Sequence, residues 1–445
     1  FSMEIAPVLD LMQYFARNTE KLLRPRKIGI GIYGLMGRSS RIVYHPVGVV
    51  GIIPAWNYPF SIPLGEATMA LMAGNTVVIK PSELTPMIGL KIGEIFEKAV
   101  EQAFQPVHHR DLVQIVSGDG STGAALVEAA PDKIMFTGSV ATGKKIAAAA
   151  AKNLTSVVLE LGGKDPMIVF ADANLELAAG AAVWGAFCNA GQSCSSVERL
   201  YAEESVAGEL TRKIIEKTKQ LKQGTGDQAD VSIGAMSSEQ QIKIVEDHVV
   251  DFRAAGAKIE TGGQRNPTLE GLFYEPTVIT GAHNDMRAMQ EETFGPTLPI
   301  ATFSTEEEAI RLANDSEFGL TASVWTRDRA RGQRVAQKIE AGSVCVNEVL
   351  YTHGIAQTPW GGFKNSGRGR THGREGLMEL VQPQHIHVNK LALMPDAWWM
   401  PYSAKAVETF RGFATKFASG SLLKTVALTP QLFKRIRELI RRRTS

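Results

Sequence analysis

Cysteine is scarce in this chain: Cys188, Cys194 and Cys345 are the only three in 445 residues. Three thiols cannot build a disulfide framework, so a reducing compartment is expected, and no cysteine or histidine spacing suits a metal. Long apolar runs are missing too. With no stretch of 18 apolar residues and no signal peptide, a soluble cytoplasmic protein is expected. Charge of one sign is not in excess. The 48 basic and 46 acidic side chains create no global field for nucleic acid, and no basic patch with interleaved aromatics occurs in the body of the chain. Repeats and low-complexity segments are absent as well. The opening Phe1-Ser2-Met3 lacks an initiator at position 1, so a trimmed N-terminus or a cloning remnant is expected.

What is present is a two-domain length with β/α alternation. Val47–Ile53 and Thr76–Lys80 are short apolar runs bounded by Gly, Asn and Pro. Helical patterns over 86–103, 121–130 and 140–152 alternate with strands near 112–116, 133–136 and 155–159, the order of a parallel sheet with right-handed crossovers. A second cycle runs from a helix at 174–188 to a strand at 343–346, and the glycine-rich stretch Pro359–Gly369 marks a domain crossing.

The chemistry is carried by two short motifs. Gly191-Gln192-Ser193-Cys194 offers a thiol, and Glu160-Leu161-Gly162-Gly163-Lys164 offers a carboxylate. A thiolate attacks electrophilic carbon at neutral pH, and a carboxylate can activate the water that frees the product. Glycine and small polar neighbours suggest tight turns that present both side chains.

Nucleotide signals are distributed. Gly29-Ile30-Gly31-Ile32-Tyr33-Gly34 matches G-x-G-x-x-G but has neither a strand before it nor a helix after it, so it reads as a loop. Gly118-Asp119-Gly120-Ser121-Thr122-Gly123 has the better context, with Gly120 and Gly123 near a phosphate or simply in a close turn. Gly138 and Ser139 follow a strand and open a helix whose free N–H groups could hold a pyrophosphate. Lys80 and Glu83 close another strand, the lysine toward phosphate or ribose and the glutamate toward ribose hydroxyls.

In order, Pro54-Ala55-Trp56-Asn57-Tyr58-Pro59, Lys80 with Glu83, Thr137-Gly138-Ser139, the Glu160 and Cys194 motifs, Glu291-Glu292-Thr293-Phe294-Gly295-Pro296 and Pro359–Lys364 resemble the aldehyde dehydrogenase superfamily, from about Pro46 to Val388. The resemblance implies an α/β fold with a Rossmann-type cofactor domain (1–159 with 363–380), an α/β catalytic domain (160–362) and a small oligomerisation β-arm (38–46 and 381–390). Residues 391–445 are then a C-terminal extension. It also implies NAD(P)+-dependent oxidation of an aldehyde to the carboxylic acid through a thiohemiacetal and thioester on Cys194. Glu160 becomes the deacylation base, and Asn57 the oxyanion donor beside the Cys194 N–H. NAD is the expected cofactor, with NADP admitted, held by Lys80, Glu83, Gly120, Gly123, Gly138, Ser139, Trp56, Glu292 and Phe294. A homodimer or higher homo-oligomer is implied. Relatives carry a longer segment before the Asn57 motif, so helices supporting the cofactor domain are expected to be short or absent.

Two alternatives stand beside this reading. A CoA-acylating enzyme is disfavoured by Glu160, and a catalytically idle scaffold or membrane-surface protein by intact Cys194, Glu160 and Asn57. Tyr58, Trp184, Phe187, Tyr351 and Trp360 suggest an apolar approach to the site, favouring apolar or aromatic aldehydes, while small acidic semialdehydes stay open. In the tail, Leu432, Phe433, Ile436, Leu439 and Ile440 share one helical face, and Lys434, Arg435, Arg437, Arg441, Arg442 and Arg443 supply charge. Such a helix either docks its apolar face, with help from Trp398, Trp399 and Tyr402, or makes a peripheral contact with an anionic membrane.

Overall fold

The computed structural model describes residues 2–103, 110–226, 230–391, 395–418, 420 and 429–441. Its contacts group into two compact units, Phe1–Leu23 with His45–Gln382, and Arg24–Tyr44 with Pro383–Ser445.

The larger unit holds two sheets. Val49–Ile53 (β3), Thr76–Ile79 (β4), Val113–Ile115 (β5), Lys133–Thr137 (β6), Ser156–Glu160 (β7) and Gly367–Arg368 (β15) form the first, in the order β15-β7-β6-β3-β4-β5. Strands β3 to β7 are mutually parallel and β15 runs antiparallel to β7. Non-sequential order with parallel pairing requires crossover connections, supplied by the helices Ser61–Met72, Pro86–Ala103, Gly120–Glu128 and Val140–Ala151.

The second sheet contains Asp165–Val169 (β8), Val197–Glu203 (β9), Lys258–Thr261 (β10), Thr277–Thr280 (β11), Thr297–Phe303 (β12), Thr321–Trp325 (β13) and Ser343–Val346 (β14). Its order is β10-β11-β12-β9-β8-β13-β14, parallel except for β10. All five residues of β8 are buried, so it lacks the alternation by which a strand is recognised in sequence.

The segment before Asn57 departs from expectation. Ile5–Leu22 is an 18-residue helix that buries Val8, Leu11, Phe15 and Thr19, a spacing of three or four that makes one stripe. The stripe packs on the helix Ser61–Met72, and the Glu4 carboxylate accepts the Ser61 N–H at 2.6 Å.

The smaller unit contains a three-stranded sheet of Arg26–Ile28 (β1), Arg38–Pro46 (β2) and Val381–Asn389 (β16), with β2 in the middle. Thus Gly29–Gly34 does follow a strand and runs into the one-turn helix Ile32–Leu35, but β1 pairs antiparallel with β2, so the motif lies outside any βαβ unit. The C-terminal helices Ala404–Ala418 and Thr429–Arg441 pack on each other. The expected single apolar face is split. Leu432, Arg435 and Leu439 point inward, while Phe433 and Ile440 stay exposed. The buried Arg435 guanidinium donates to the carbonyls of Trp399 and Pro401. Arg442 and Arg443 lie outside the described residues.

Candidate active site

Strand connectivity brings the two chemical motifs together. Glu160 is the last residue of β7, and five residues later Asp165 opens β8 in the other sheet. Asp165 stands opposite Val197 at the start of β9, three residues after Cys194. The Gly162-Gly163 bridge therefore passes the Cys194 backbone so closely that a Cβ on Gly163 would lie 2.4 Å from the Cys194 carbonyl oxygen. Upstream of the thiol, Asn189, Ala190 and Gly191 all adopt left-handed backbone angles, with φ of 55°, 55° and 72°. Consecutive non-glycine residues in that region carry strain, and such strain concentrates where a side chain must be presented. A Cβ on Gly191 would meet the Gly295 carbonyl at 2.2 Å, so the nucleophile loop is fixed against the Phe294-Gly295 turn.

Two cavities meet at this junction. One, of about 50 Å³, is lined by Tyr58, Glu66, Leu350, His353, Trp360 and His372 among others. The other, of about 220 Å³, is lined by Trp56, Asn57, Gly138, Ser139, Glu292 and Phe294 among others. Thr137, Glu160, Leu161 and Cys194 belong to both. Register explains part of this shared wall, since Thr137 and Glu160 are paired neighbours at the ends of β6 and β7.

The wall is acidic. Burial pushes the Cys194 thiol up, and Asp165, Glu160 and Glu292 push the same way. Glu160 is held well above the usual carboxylate range by burial and then by Glu66, against the pull of Arg370 and of the Trp360 side chain. Neither Glu160 carboxylate oxygen has a hydrogen-bond partner among the described residues. A carboxylate left in such surroundings is a stronger base than an exposed one. Asn57 Nδ2 donates to the Gln192 carbonyl at 3.0 Å, which anchors it two residues from Cys194 and leaves its second hydrogen available.

The larger cavity is framed by aromatic and acidic groups. Trp56 and Phe294 meet edge to face at 5.4 Å, with Phe294 in the left-handed region at φ 51°. Two residues to which the sequence reading gave no role, Glu198 and Lys164, hold that turn. Glu198 accepts the N–H groups of Thr293 and Phe294, each at 2.8 Å, and the buried Lys164 ammonium bridges Glu198 and the Thr293 hydroxyl. Glu292 accepts the Gly163 N–H at 2.9 Å, and burial pushes its carboxyl up to about 8. Ser139 caps the helix Val140–Ala151, its hydroxyl accepting the Thr142 N–H at 3.3 Å.

Lys80 and Glu83 form an ion pair of 2.9 Å just beyond β4, and the lysine holds Glu83 below the usual carboxylate range. They stand at the same carboxyl edge of the sheet but do not line the 220 Å³ cavity. Neither do Gly120 and Gly123, which are open positions in the first turn of their helix, where the Asp119 carboxylate accepts the Ser121 N–H. That match to G-x-G-x-x-G is a capped turn.

Of the aromatics expected to line the approach, only Tyr58 and Trp360 reach the smaller cavity. Phe187 is core at 1% exposure, while Trp184 and Tyr351 are surface residues. The lining adds Glu66, His353 and His372, none singled out in the sequence. Glu66 lies on a helix buried nearly all round, so no periodic signal separates it from its apolar neighbours.

The profile of the aldehyde dehydrogenase family matches residues 1–386. The chain belongs to the aldehyde dehydrogenase family. It is 42% identical over 411 residues to the 4,4'-diapolycopene aldehyde oxidase of a Methylomonas species, covering 92% of this chain and 75% of the relative. It is 41% identical over 399 residues to a putative NADP(+) succinate-semialdehyde dehydrogenase of Mycobacterium bovis, covering 89% and 75%. Among solved structures, betaine aldehyde dehydrogenase of Staphylococcus aureus in complex with NAD+ superimposes with a TM-score of 0.81 at 38% identity, over 89% of this chain and 79% of that one. An NAD-dependent aldehyde dehydrogenase of Sinorhizobium meliloti gives 0.82 at 36%, over 88% and 76%.

This aldehyde dehydrogenase oxidises an aldehyde to the carboxylic acid with NAD(P)+. The residues present suit such a cofactor. The larger cavity offers an apolar face from Trp56 and Phe294, a carboxyl from Glu292 and a capped helix N-terminus beside Ser139, all against the Cys194 wall.

Proposed function

We propose that Cys194 is the nucleophile, attacking the aldehyde carbon to give a thiohemiacetal that is oxidised to a thioester, and that Glu160 draws the proton from the water that hydrolyses it. The second Asn57 amide hydrogen and the Cys194 N–H receive the oxyanion, and losing one such donor typically costs ~10²–10³ in rate. NAD(P)+ held against the Cys194 wall would supply the hydride acceptor. The observation that carries this reading is the shared wall: Cys194 and Glu160 alone supply a nucleophile and a base common to the 50 Å³ and 220 Å³ cavities. Glu292 and Ser139 hold the ribose and phosphate nearest that wall, while Lys80 and Glu83 take the adenosine ribose and favour NAD+ over NADP+. We assign the apolar chamber around Tyr58, Leu350 and Trp360 to an apolar or aromatic aldehyde.

NADH absorbance with a panel of aldehydes tests the reaction. Cys194→Ala should abolish turnover and retain NAD+ binding, and oxidation near the parent rate would refute the scheme.

In the smaller unit, Trp398, Trp399, Met400 and Tyr402 expose between 41% and 76% of their surface. Between Leu391 and Ser445 the chain has ten basic and three acidic side chains. Exposed aromatics beside excess positive charge support a second reading, a peripheral contact with an anionic membrane surface. The β1-β2-β16 sheet supplies the arm for homo-oligomerisation.

A further inference from the structure

The helix Ser61–Met72 buries one acidic side chain, Glu66, in the wall of the 50 Å³ cavity. Thr137 Oγ1 approaches Glu66 Oε1 at 3.4 Å, a long contact, and Oε2 has no hydrogen-bond partner among the described residues. A buried carboxyl so poorly satisfied costs stability, so packing gives no reason for it. The rest of the lining shows what it faces. Glu160 comes from β7, the Cys194 thiol from the loop before β9, the Tyr58 hydroxyl from the segment after β3, and His353 and His372 from the loops after β14 and β15. Among the described residues, no lysine or arginine lines this cavity. Arg370, which acts on Glu160, is engaged with the carbonyls of Gly362 and Gly369. Burial keeps both imidazoles neutral, His353 falling to about 4.

A substrate carrying a carboxylate would therefore enter a chamber with two carboxyls and no cation. Resting on the aldehyde-oxidation reading above, we propose that Glu66 is a specificity-determining residue that excludes carboxylate-bearing aldehydes from the Cys194 cavity and reserves it for neutral ones. Discrimination by repulsion needs only a like charge in a low-dielectric site. Burial pushes Glu66 up to about 8, so exclusion should strengthen as the pH rises through that value. Tyr58 and Cys194 are held protonated there and the histidines neutral, which leaves Glu160, itself held well above its usual range, as the other group that can add negative charge.

The test compares kcat/KM for hexanal and succinic semialdehyde with saturating NAD+, at about pH 6.5 and about pH 9, in the full-length parent and in Glu66→Gln. The parent should prefer hexanal, by a ratio that grows about tenfold across that range. Glu66→Gln should shrink the ratio about tenfold at the higher pH, through KM of the semialdehyde, and flatten its pH dependence. A ratio unmoved by the substitution overturns the proposal. So does a semialdehyde that becomes a poorer substrate, which would mean that protonated Glu66 recognises the carboxylate. Should Glu66→Gln not fold, a pH-independent ratio in the parent overturns it equally. Failure of the parent to oxidise either aldehyde would instead strike at the reaction itself.

Discussion

On the proposed scheme the buried Glu160 side chain, whose oxygens have no hydrogen-bond partner of normal geometry among the described residues, must take a proton from water. In that scheme it acts in the second half of the reaction, when a thioester waits for hydrolysis. Glu160→Gln should leave the first hydride transfer largely intact and slow steady-state turnover by about 10²–10⁴, seen as a burst of NADH followed by a slow phase in stopped-flow absorbance. If the burst vanishes too, Glu160 is needed earlier, to form the Cys194 thiolate. Glu83 makes a second residue-scale prediction: its carboxylate should repel a 2′-phosphate, so Glu83→Gln should lower the NAD+/NADP+ ratio of kcat/KM. Glu66 makes a third, about stability. Its folded pKa is raised to about 8 from an ordinary 4.5, so between those values the folded state binds more protons than the unfolded one. Stability from this group is thus lost as pH rises through that window, and Glu66→Gln should gain in Tm over the parent more at pH 8 than at pH 5. Cys194, Glu160 and Asn57 were legible in the sequence because each stands in a turn motif of glycine, proline and small polar residues. Glu66 was not, because its surroundings are assembled from five separate segments of the chain.

Among elements, the turn Thr293-Phe294-Gly295 shows how a buried ion pair can serve geometry. Lys164 leaves the bridge between the sheets, Glu198 rises from β9, and together they hold the backbone that presents Glu292 and Phe294. Glu198→Ala would leave the Lys164 ammonium buried without its partner, and breaking such pairs typically costs ~3–5 kcal/mol. The variant should therefore unfold at a clearly lower denaturant concentration. Where it folds, fluorescence titration should show weaker NAD+ binding, by about tenfold. The alternating strands and helices of the first sheet were legible because β6 and β7 are short apolar runs with turn residues at both ends. The fully buried β8 escaped notice, and Phe187 was misplaced at the approach because an aromatic residue looks the same in a core as in a pocket. Gly120 and Gly123 stand at a helix start capped by Asp119 and do not line the larger cavity.

For the whole molecule, charge is partitioned. A chain of net charge +2 carries ten basic against three acidic side chains after Leu391, so the remainder is acidic on balance. If the C-terminal unit meets a membrane, the full chain should co-sediment with anionic vesicles at low salt and be released at high salt, as screening weakens the basic surface. Removing residues 429–445 should then abolish sedimentation and leave kcat on a soluble aldehyde unaltered. Lower stability or a dissociated oligomer, with no lipid binding in the parent, would make the helix a structural strap. The shared wall has a different consequence, for inhibition. Of the three thiols, only Cys194 lines either cavity, and it lines both. An electrophilic inhibitor can therefore approach it past Tyr58 and Trp360 with an apolar body and no resemblance to a nucleotide. Its selectivity would then be set by the fit to Leu350 and Trp360 and by the neutrality demanded beside Glu66, so that enzymes sharing the same cofactor need not share the same poison.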